Sequence, residues 1–244
     1  MKLLTVPNII TSLNALFGCL SVAFAAAGRL DIAFLCIIIA AVCDFFDGFA
    51  ARLLHSYSAI GKELDSLADM ISFGFAPAFM LFMVIKDMSS TLSCSLQSDC
   101  GFVYIIWALP FLLTVFSALR LAKFNVDERQ TASFIGLPTP ANALFFSTLA
   151  LLYDTQQLPI TLNIWWILAL VVVFSYLLIS EIPMFSLKIK DFSIKKYSIQ
   201  IIFLVIAIIL LTLWQIKTIP LIILWYIVLS IGVVVYNKIK INKL

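Results

Sequence analysis

The stretch that decides the fold runs from Asp31 to Leu54 and reads DIAFLCIIIAAVCDFFDGFAARLL. It is long and apolar enough to cross a bilayer as one helix, which takes roughly 20 mostly apolar residues. Two aspartates and an arginine stand near its end, inside the same apolar run. Charges in such a segment are expensive in lipid and are usually kept for function. The stretch therefore predicts a membrane helix that carries part of a functional site.

The rest of the 244-residue chain has the same character. Hydrophobic residues make up 63% of it and charged residues 12%, and the mean hydropathy is +1.11. A soluble domain carries about a quarter charged residues, so this composition excludes a soluble globular protein. It also excludes a disordered chain, collagen and a nucleic-acid-binding module. We expect an all-α, polytopic integral membrane bundle that forms a single domain over residues 1–244.

Eight apolar runs are candidates for membrane-spanning helices, and they set the expected topology. The runs are Ile9–Ala27, Asp31–Leu54, Ser66–Ile85, Phe102–Leu121, Pro138–Tyr153, Thr161–Ile179, Ser198–Trp214 and Ile219–Tyr236. With eight spans both termini lie on one side, and that side holds 13 of the 16 Lys and Arg residues. Positive residues favour the cytoplasmic side, so we expect both termini in the cytoplasm and the protein in the cytoplasmic (inner) membrane. Cys94 and Cys100 fall in a loop that we expect on the outer side of the membrane. The sequence there allows either a disulfide between them or two free thiols.

Four aspartates near the ends of the second and third runs form the expected site. Asp44 and Asp47 are three residues apart and Asp65 and Asp69 are four apart, so each pair shares one face of its helix. A short connection, Leu53–Leu64, predicts that the two helices are antiparallel neighbours. We therefore expect the four carboxylates to meet in one pocket near the cytoplasmic surface.

Such a cluster needs countercharge. Four neighbouring carboxylates cannot all stay ionised alone, and Arg52 cannot balance them by itself. Divalent cations can, and an all-oxygen site suits Mg²⁺ or Mn²⁺. Two metal ions about 4 Å apart are a recurring arrangement for displacement at phosphorus. The same carboxylates also fit the pathway of a membrane cation transporter or a structural ion-pair network, so the aspartates alone leave the function open.

Small residues around the aspartates favour an enzyme. Gly48 and Ala51 would let a bulky ligand approach the helix backbone, and Gly61 would give similar access before Asp65. Arg52 follows and suits a phosphate group. Carboxylates, small residues and an arginine describe a metal-bound diphosphate better than a dehydrated ion.

The spacing D-x2-D-G-x2-A-R-x8-G-x3-D-x3-D, from Asp44 to Asp69, matches the signature of the CDP-alcohol phosphatidyltransferase family at every position. The sequence thus resembles a family whose members move a phosphatidyl group from CDP-diacylglycerol to an alcohol and release CMP. The resemblance implies that Asp44, Asp47, Asp65 and Asp69 bind the metal ions, and we expect two ions of Mg²⁺ or Mn²⁺. It implies that Asp69 also accepts the proton of the attacking hydroxyl and that the protein forms a homodimer. Membrane lipids are the other expected partners.

The resemblance also identifies expected donor-binding residues. Gly48, Ala51 and Arg52 match positions around the CDP group, and Ser58 falls where a hydroxyl residue contacts the donor in some relatives. The opening Pro7-Asn8-Ile-Ile-Thr11 resembles the start of the family's first helix, which helps to hold the nucleotide. The full expected set for CDP-diacylglycerol is Asn8, Thr11, Gly48, Ala51, Arg52, Ser58 and Gly61.

Three further segments resemble the phosphatidylserine synthase branch of the family. They are SFGFAPA at Ser72–Ala78, RLAKFN at Arg120–Asn125 and GLPTPA at Gly136–Ala141. The resemblance implies transfer to L-serine, with residues 1–155 as the catalytic core and 156–244 as additional helices. We also expect the helices to break at Ser72–Pro77 and Gly136–Pro140, which would widen the cavity between them.

The chemistry of serine is compatible with this branch. Its carboxylate suits the forked guanidinium of Arg120, with Lys123 one turn further on, and Ser72 is expected to help shape the acceptor site. Asn125 and Asn142 are candidates for contact with the ammonium group. Arg120 and Lys123 also fit as snorkelling anchors at the membrane interface. A sister enzyme that uses glycerol phosphate or inositol stays the nearest alternative, and a membrane cation transporter stays the alternative from another class.

Overall fold

A computed structural model describes residues 4–56, 58–93, 100–127, 134–157, 163–184 and 198–241. These residues form ten α-helices, one π-helix, one 3₁₀ turn and two very short strands. In chain order they are α1 (Val6–Ala26), α2 (Leu30–Leu53), α3 (Ala59–Asp69), the π-helix (Met70–Phe75), α4 (Ala76–Ser93), α5 (Cys100–Ala108), α6 (Phe111–Val126), β1 (Phe134–Ile135), α7 (Thr139–Asp154), α8 (Ile164–Ile179), β2 (Pro183–Met184), α9 (Ser198–Trp214), the 3₁₀ turn (Gln215–Thr218) and α10 (Ile219–Ile241). The expected all-helical architecture is confirmed.

Five helical stretches of the described chain are long and apolar enough to cross a membrane. They are Val6–Ala26, Leu30–Leu53, Ala59–Ser89, Gly101–Val126 and Gln200–Val235. A further apolar helix, Ile164–Ile179, is shorter. These helices confirm a helical membrane protein. All eight predicted runs contain helix, but the count of eight spans and the side on which the termini lie stay predictions.

Helices α1 and α2 form a hairpin that positions the site. The turn between them is only three residues long, and Gly28 in it has a positive φ of 73°. Small and buried residues line the interface, where Ser21 Oγ donates to the Ala33 carbonyl oxygen at 2.9 Å. Because the turn is tight, the carboxyl end of α2 with its aspartates lies beside the amino end of α1. Arg29 and its ion-pair partner Asp31 lie at the opposite end of the hairpin.

The connection between α2 and α3 is shorter than the sequence predicted. Helix α2 ends at Leu53 and α3 begins at Ala59, so residues 59–64 of the predicted connection are helical. Ser58 provides the physical reason, because its hydroxyl caps the helix by accepting from Gly61 N at 2.9 Å. The helix therefore starts more than a turn before Asp65, which fixes the position of that carboxylate.

The predicted break at Ser72–Pro77 is wrong, because the chain stays helical from Ala59 to Ser93. The π-helix takes the place of a break, and the Ala76 N–H bonds to the Ile71 carbonyl oxygen five residues back. This widened turn has already replaced the regular i→i−4 pattern where Pro77 follows. A proline is thereby accommodated without ending the helix.

Two glycines allow α1 and α6 to pack closely against the π-helix. A Cβ on Gly18 of α1 would lie 2.9 Å from Ser72 Cα, and a Cβ on Gly74 would lie 3.1 Å from Ser117 Cβ of α6. Thr114 Oγ1 on α6 also donates to the Gly74 carbonyl oxygen at 3.2 Å. Helix α7 packs on the π-helix as well. The segment directly after Asp69 is therefore enclosed by three helices.

The start of α7 is anchored to the end of α8. Strands β1 and β2 pair antiparallel, with Ile135 opposite Pro183, and Gly136 N donates to the Ile182 carbonyl oxygen at 2.9 Å. Gly136 has a φ of 79°, and a Cβ there would lie 2.6 Å from the Leu178 carbonyl oxygen, so this turn requires glycine. The anchored loop leads directly into Pro138 and the start of α7. This agrees with the helix break predicted at Gly136–Pro140.

The cysteines give no redox site among the described side chains. Cys36 is buried, Cys43 is half-buried and Cys19 is exposed, and all three are free. The side chains of Cys94 and Cys100 lie outside the part that the structure describes, so their predicted disulfide stays open.

Candidate active site

Three carboxylates meet between α2 and α3. Asp44, Asp47 and Asp65 each contribute one oxygen, and these three oxygens lie within 4.8 Å of one another. Asp69, one helical turn beyond Asp65, is close enough to Asp44 for their carboxyl groups to interact directly. The structure thus brings together the four aspartates that the helical spacing selected.

The carboxylate cluster fits a metal ion. Asp47 is 5% exposed and Asp69 is 9% exposed, while Asp44 and Asp65 are half-buried. The described residues form ion pairs at Arg29–Asp31 and Lys123–Glu181, and neither pair involves the cluster. Buried like charges need a cation close by, and hard oxygen ligands suit a divalent one. The cluster of Asp44, Asp47 and Asp65 can therefore hold a metal ion.

Two side chains of α1 fix the aspartates. The Thr11 hydroxyl lies 2.6 Å from Asp47 Oδ2 and 3.0 Å from the Pro7 carbonyl oxygen, so the shorter hydrogen bond goes to the carboxylate. Asn14 Nδ2 donates to Asp69 Oδ1 at 3.3 Å. Thr11 and Asn14 are three residues apart and share one face of α1. One aspartate from each pair is thereby held by the neighbouring helix.

Sequence reasoning missed Asn14. It is fully buried, and the Ser72 hydroxyl donates to its backbone carbonyl oxygen at 2.9 Å. The available signal was a polar amide in the middle of an apolar run, three residues after Thr11. Polar side chains in membrane helices usually face the bundle interior and often mark a site.

A cavity of about 220 Å³ opens next to the carboxylates. It is lined by Pro7, Asn8, Thr11, Asp47, Gly48, Ala51, Ser56, Ser58, Gly61, Lys62 and Asp65. Six of the seven residues expected to bind the donor are in this lining. The seventh, Arg52, is exposed on the last turn of α2 and lies outside the described lining. Ser56 and Lys62 line the cavity without having been predicted.

The two glycines of the cavity have different surroundings. A Cβ on Gly48 would meet no atom of the described residues within 4 Å, so this position opens onto the cavity. A Cβ on Gly61 would lie 3.0 Å from Ser58 Oγ and 3.1 Å from Asn8 Oδ1. Gly48 therefore leaves room for a ligand, whereas Gly61 lets two polar side chains of the wall approach each other.

Hydrogen bonds of Lys62 and Asn125 connect the cavity wall on α3 to the end of α6. Lys62 Nζ donates to the Asn125 carbonyl oxygen at 2.7 Å, and Asn125 Nδ2 donates to Ser66 Oγ at 2.9 Å. Asn125 Nδ2 also lies 3.5 Å from Glu63 Oε2. The Asn125 amide is thus engaged with α3, which leaves Asn142 as the freer of the two asparagines considered for the acceptor.

The three residues expected to bind the acceptor lie in three different environments. Arg120 is only 7% exposed, its Nη1 lies 3.4 Å from Thr139 Oγ1, and its Nε has no partner among the described residues. A snorkelling arginine keeps its head in water, so this burial contradicts the anchor interpretation of Arg120. Lys123 pairs with Glu181 at 2.6 Å nearer the surface. Ser72 is fully buried against α1.

Comparison with known proteins agrees with the motif. The profile of the CDP-alcohol phosphatidyltransferase family matches residues 4–177. The chain is 33% identical over 155 residues to a CDP-diacylglycerol–serine O-phosphatidyltransferase of Bacillus subtilis, covering 64% of this chain and 80% of that protein. It is 29% identical over 201 residues to the Helicobacter pylori protein of the same name, covering 81% and 79%. An archaetidylserine synthase of Methanothermobacter thermautotrophicus is 32% identical over 150 residues, covering 59% and 57%.

Proposed function

The chain belongs to the CDP-alcohol phosphatidyltransferase family, and from this premise we propose that it transfers the phosphatidyl group of CDP-diacylglycerol to L-serine, giving phosphatidylserine and CMP. Relatives from several organisms carry the name of this activity. The observation that carries the proposal is the carboxylate cluster of Asp44, Asp47 and Asp65, which opens onto the cavity lined by six of the expected donor-binding residues.

We propose that the four aspartates hold two divalent ions, Mg²⁺ or Mn²⁺. When bound, such ions supply positive charge that offsets the carboxylates and polarises the donor diphosphate. Thr11 and Asn14 orient the aspartates for this task, because each donates to one oxygen of Asp47 or Asp69 and leaves the remaining oxygen available.

The donor occupies the cavity in this proposal. Gly48 provides space at the α2 backbone, and Ser58 and Asn8 offer polar groups at the wall. Lys62 is a cation of the cavity lining and complements the negative diphosphate. Arg52 keeps its proposed role in donor binding from its position in the family motif.

The reaction is a displacement at the phosphorus that carries the diacylglycerol. The serine hydroxyl oxygen forms a new bond to this phosphorus, and the phosphorus–oxygen bond to CMP breaks. CMP leaves with the bonding electron pair, and Asp69 accepts the proton of the hydroxyl. Asp69 suits this role because it is buried, is held by Asn14 at Oδ1, and lies beside the other carboxylates. A positioned general base is typically worth about 10²–10⁴ in rate.

Arg120 is the proposed partner of the serine carboxylate. It is buried, its Nε is unpartnered, and its charge interacts with that of Asp69. A phosphate-bearing acceptor such as glycerol phosphate, or the uncharged inositol, would not match one guanidinium and a general base as well as a zwitterion does. Ser72 shapes the site through Asn14, and Lys123 contributes at the rim, where it is paired with Glu181.

The proposed topology has eight spans, both termini in the cytoplasm and the site facing the cytoplasm. Its support is that Lys62 and Lys123 lie at the same end of the bundle as the cavity, whereas Arg29 lies at the other end. Residues 1–155 form the proposed catalytic core, since the aspartates, the cavity and Arg120 all fall within them. We propose a homodimer in the cytoplasmic membrane as the working form.

An acceptor panel tests the proposal. Purified protein is supplied with CDP-diacylglycerol, either Mg²⁺ or Mn²⁺, and one of L-serine, glycerol phosphate or inositol, and the lipid products are separated by chromatography. We expect phosphatidylserine and an equal amount of CMP with serine alone. A lipid product formed with glycerol phosphate or inositol, and none with serine, would reject serine as the acceptor.

A further inference from the structure

Seven buried side-chain atoms in the described part of the chain lack a hydrogen-bond partner, and six of them belong to helices that enclose the π-helix. Thr148 Oγ1 lies further along α7, and the other five are Asn14 Oδ1, Ser117 Oγ, Arg120 Nε, Asn142 Nδ2 and Asn142 Oδ1. They come from α1, α6 and α7, which all pack on Met70–Phe75. Buried polar atoms are nearly always hydrogen-bonded in native proteins, so a concentration of unpartnered ones points to a binding site for a polar ligand.

The atoms on α6 and α7 are linked by direct contacts. Ser117 and Arg120 are three residues apart on α6, and Ser117 faces Gly74 of the π-helix. Arg120 Nη1 reaches Thr139 Oγ1 at 3.4 Å, and Asn142 follows Thr139 by three residues on the same face of α7. Arg120 and Asn142 therefore border the same region between the two helices.

The third side of this region carries Asn14 and Asp69. Asn14 Nδ2 donates to Asp69 Oδ1, while Asn14 Oδ1 is unpartnered. Asp69 directly precedes the π-helix and interacts electrostatically with Arg120. Asn14 and Arg120 thus connect the unpartnered atoms to the carboxylate proposed to accept the proton of the acceptor hydroxyl.

These unpartnered atoms include both hydrogen-bond donors and hydrogen-bond acceptors. Arg120 Nε and Asn142 Nδ2 are donors, Asn14 Oδ1 and Asn142 Oδ1 are acceptors, and the Ser117 hydroxyl can be either. An amino-acid zwitterion needs donors for its carboxylate and acceptors for its ammonium group. A phosphate needs donors only, and a neutral polyol leaves the charge of Arg120 unmatched.

We propose that these atoms form the pocket for the amino-acid part of the acceptor, and that Asn142 is its specificity-determining residue. Asn142 is completely buried, and its amide offers a donor to the carboxylate and an acceptor to the ammonium group of the same ligand. The inference rests on the proposed function, because the ligand is the acceptor of that reaction. Asn125 is excluded from this role by its hydrogen bonds to α3.

The variant Asn142→Leu tests the assignment. It removes both unpartnered atoms and keeps a side chain branched at Cγ, so a purely structural Asn142 would leave stability unchanged or improved and activity intact. We expect an unchanged or higher Tm, a serine KM raised roughly 10- to 100-fold, and a KM for CDP-diacylglycerol within about twofold of wild type. A serine KM equal to that of wild type in the folded variant would overturn the proposal.

Thr148→Val is the matched control. Thr148 is also a buried, unpartnered residue of α7, but it lies six residues, or about 9 Å of helix rise, beyond Asn142. We expect wild-type kinetics from this variant. An equal rise of the serine KM in both variants would assign the effect to the packing of α7 and overturn the pocket.

A second variant, Asn142→Asp, tests whether Asn142 contacts both the carboxylate and the ammonium group of the ligand, and it does so without a change of side-chain size. It keeps an acceptor for the ammonium group and opposes the carboxylate, so serine should lose more activity than ethanolamine, which has no carboxylate. Equal losses for both acceptors would overturn the role in specificity.

An assay of the wild-type protein distinguishes a failure of the proposed function from a failure of the pocket assignment. If wild type uses serine and Asn142→Leu keeps the wild-type serine KM, only the pocket assignment fails. If wild type makes no phosphatidylserine, the proposed function fails. Serine-dependent thermal stabilisation of wild type and variant then reports on the pocket alone, and its absence in wild type would reject the pocket too.

Discussion

Thr11 on α1 donates a hydrogen bond of 2.6 Å to Asp47 on α2. Both residues also line the cavity proposed for the donor. A single hydrogen bond therefore connects the helix that starts at the proposed nucleotide site with a carboxylate of the proposed metal site. This contact makes the orientation of Asp47 dependent on α1, although no charge of α1 takes part.

Thr11→Val should weaken metal binding with little change in shape. The substitution removes the hydroxyl and keeps the branched volume, so Asp47 loses its partner. Groups that orient metal ligands are typically worth about 10- to 100-fold in metal affinity. We expect the Mg²⁺ or Mn²⁺ concentration for half-maximal activity to rise by that order. Thr155→Val, which removes only an exposed hydroxyl that donates to the Leu151 carbonyl oxygen, is the control; an unchanged metal requirement in Thr11→Val would contradict the orienting role.

Asp44→Asn, Asp47→Asn and Asp65→Asn should each abolish transfer while leaving a folded protein in detergent. Each change is nearly isosteric and removes the charge of one metal ligand. Asp31→Asn is a matched control, because Asp31 lies on α2 at the far end of the hairpin. Phosphatidylserine formation and elution on size exclusion check activity and folding. Near-normal turnover in any two of the three cluster variants would reject the two-metal proposal.

Alanine substitutions at the two cavity glycines should have different effects, one on donor binding and the other on stability. Gly48→Ala places a methyl group in open space, so stability should hold or rise by up to about 1 kcal/mol from helix propensity, while the KM for CDP-diacylglycerol rises. Gly61→Ala must displace Ser58 and Asn8, so the Tm should fall.

Thermal unfolding and donor kinetics on both variants measure these effects. A cation transporter would tolerate Gly48→Ala without any functional change, so retained donor affinity in this variant would weaken the enzyme proposal. A lower Tm for Gly48→Ala than for Gly61→Ala would contradict the contacts described for the two glycines.

Arg120→Lys should raise the serine KM and leave the KM for CDP-diacylglycerol nearly unchanged. It keeps the charge and loses the forked donor pair, which costs about 1–3 kcal/mol, or roughly a tenfold to hundredfold rise in KM. Ethanolamine should lose its disadvantage relative to serine in this variant. Arg29→Lys, at the opposite end of the bundle, is the control. Lost donor affinity with unchanged serine affinity would move Arg120 to the donor side.

A cysteine probe placed after Lys243 should react only from the cytoplasmic side. This follows from the even number of spans and the excess of Lys and Arg on that side. Membrane-impermeant labelling of intact cells and of inverted vesicles measures it. Labelling of this probe in intact cells would mean an odd number of spans.

Helical periodicity explains why the aspartates and most of the donor cavity were predictable. Spacings of three and four place side chains on one face whatever surrounds them, and Asp44, Asp47 and Asp65 converge accordingly. The same rule does not say which neighbour a residue at the end of a helix faces. Arg52, on the last turn of α2, is therefore exposed and outside the described lining, although Ala51 beside it is in the lining.

The segment after Asp69 could not be predicted, because its conformation depends on tertiary packing. Gly74 and Pro77 are helix breakers in isolation, so the sequence predicts a break here. In the bundle, the glycine allows α6 to approach and the π-helix absorbs the irregularity. Asn14 was hidden for a related reason, since its partner Asp69 is 55 residues away along the chain.

Thr11, Asn14 and Gly18 lie along one face of α1 and contact Asp47, Asp69 and the π-helix in turn. A helix is stiff along its axis and rises about 1.5 Å per residue. Axial movement of α1 by that amount would displace all three contacts together. We therefore expect a substitution that shifts α1 along its axis to affect Asp47, Asp69 and the π-helix together.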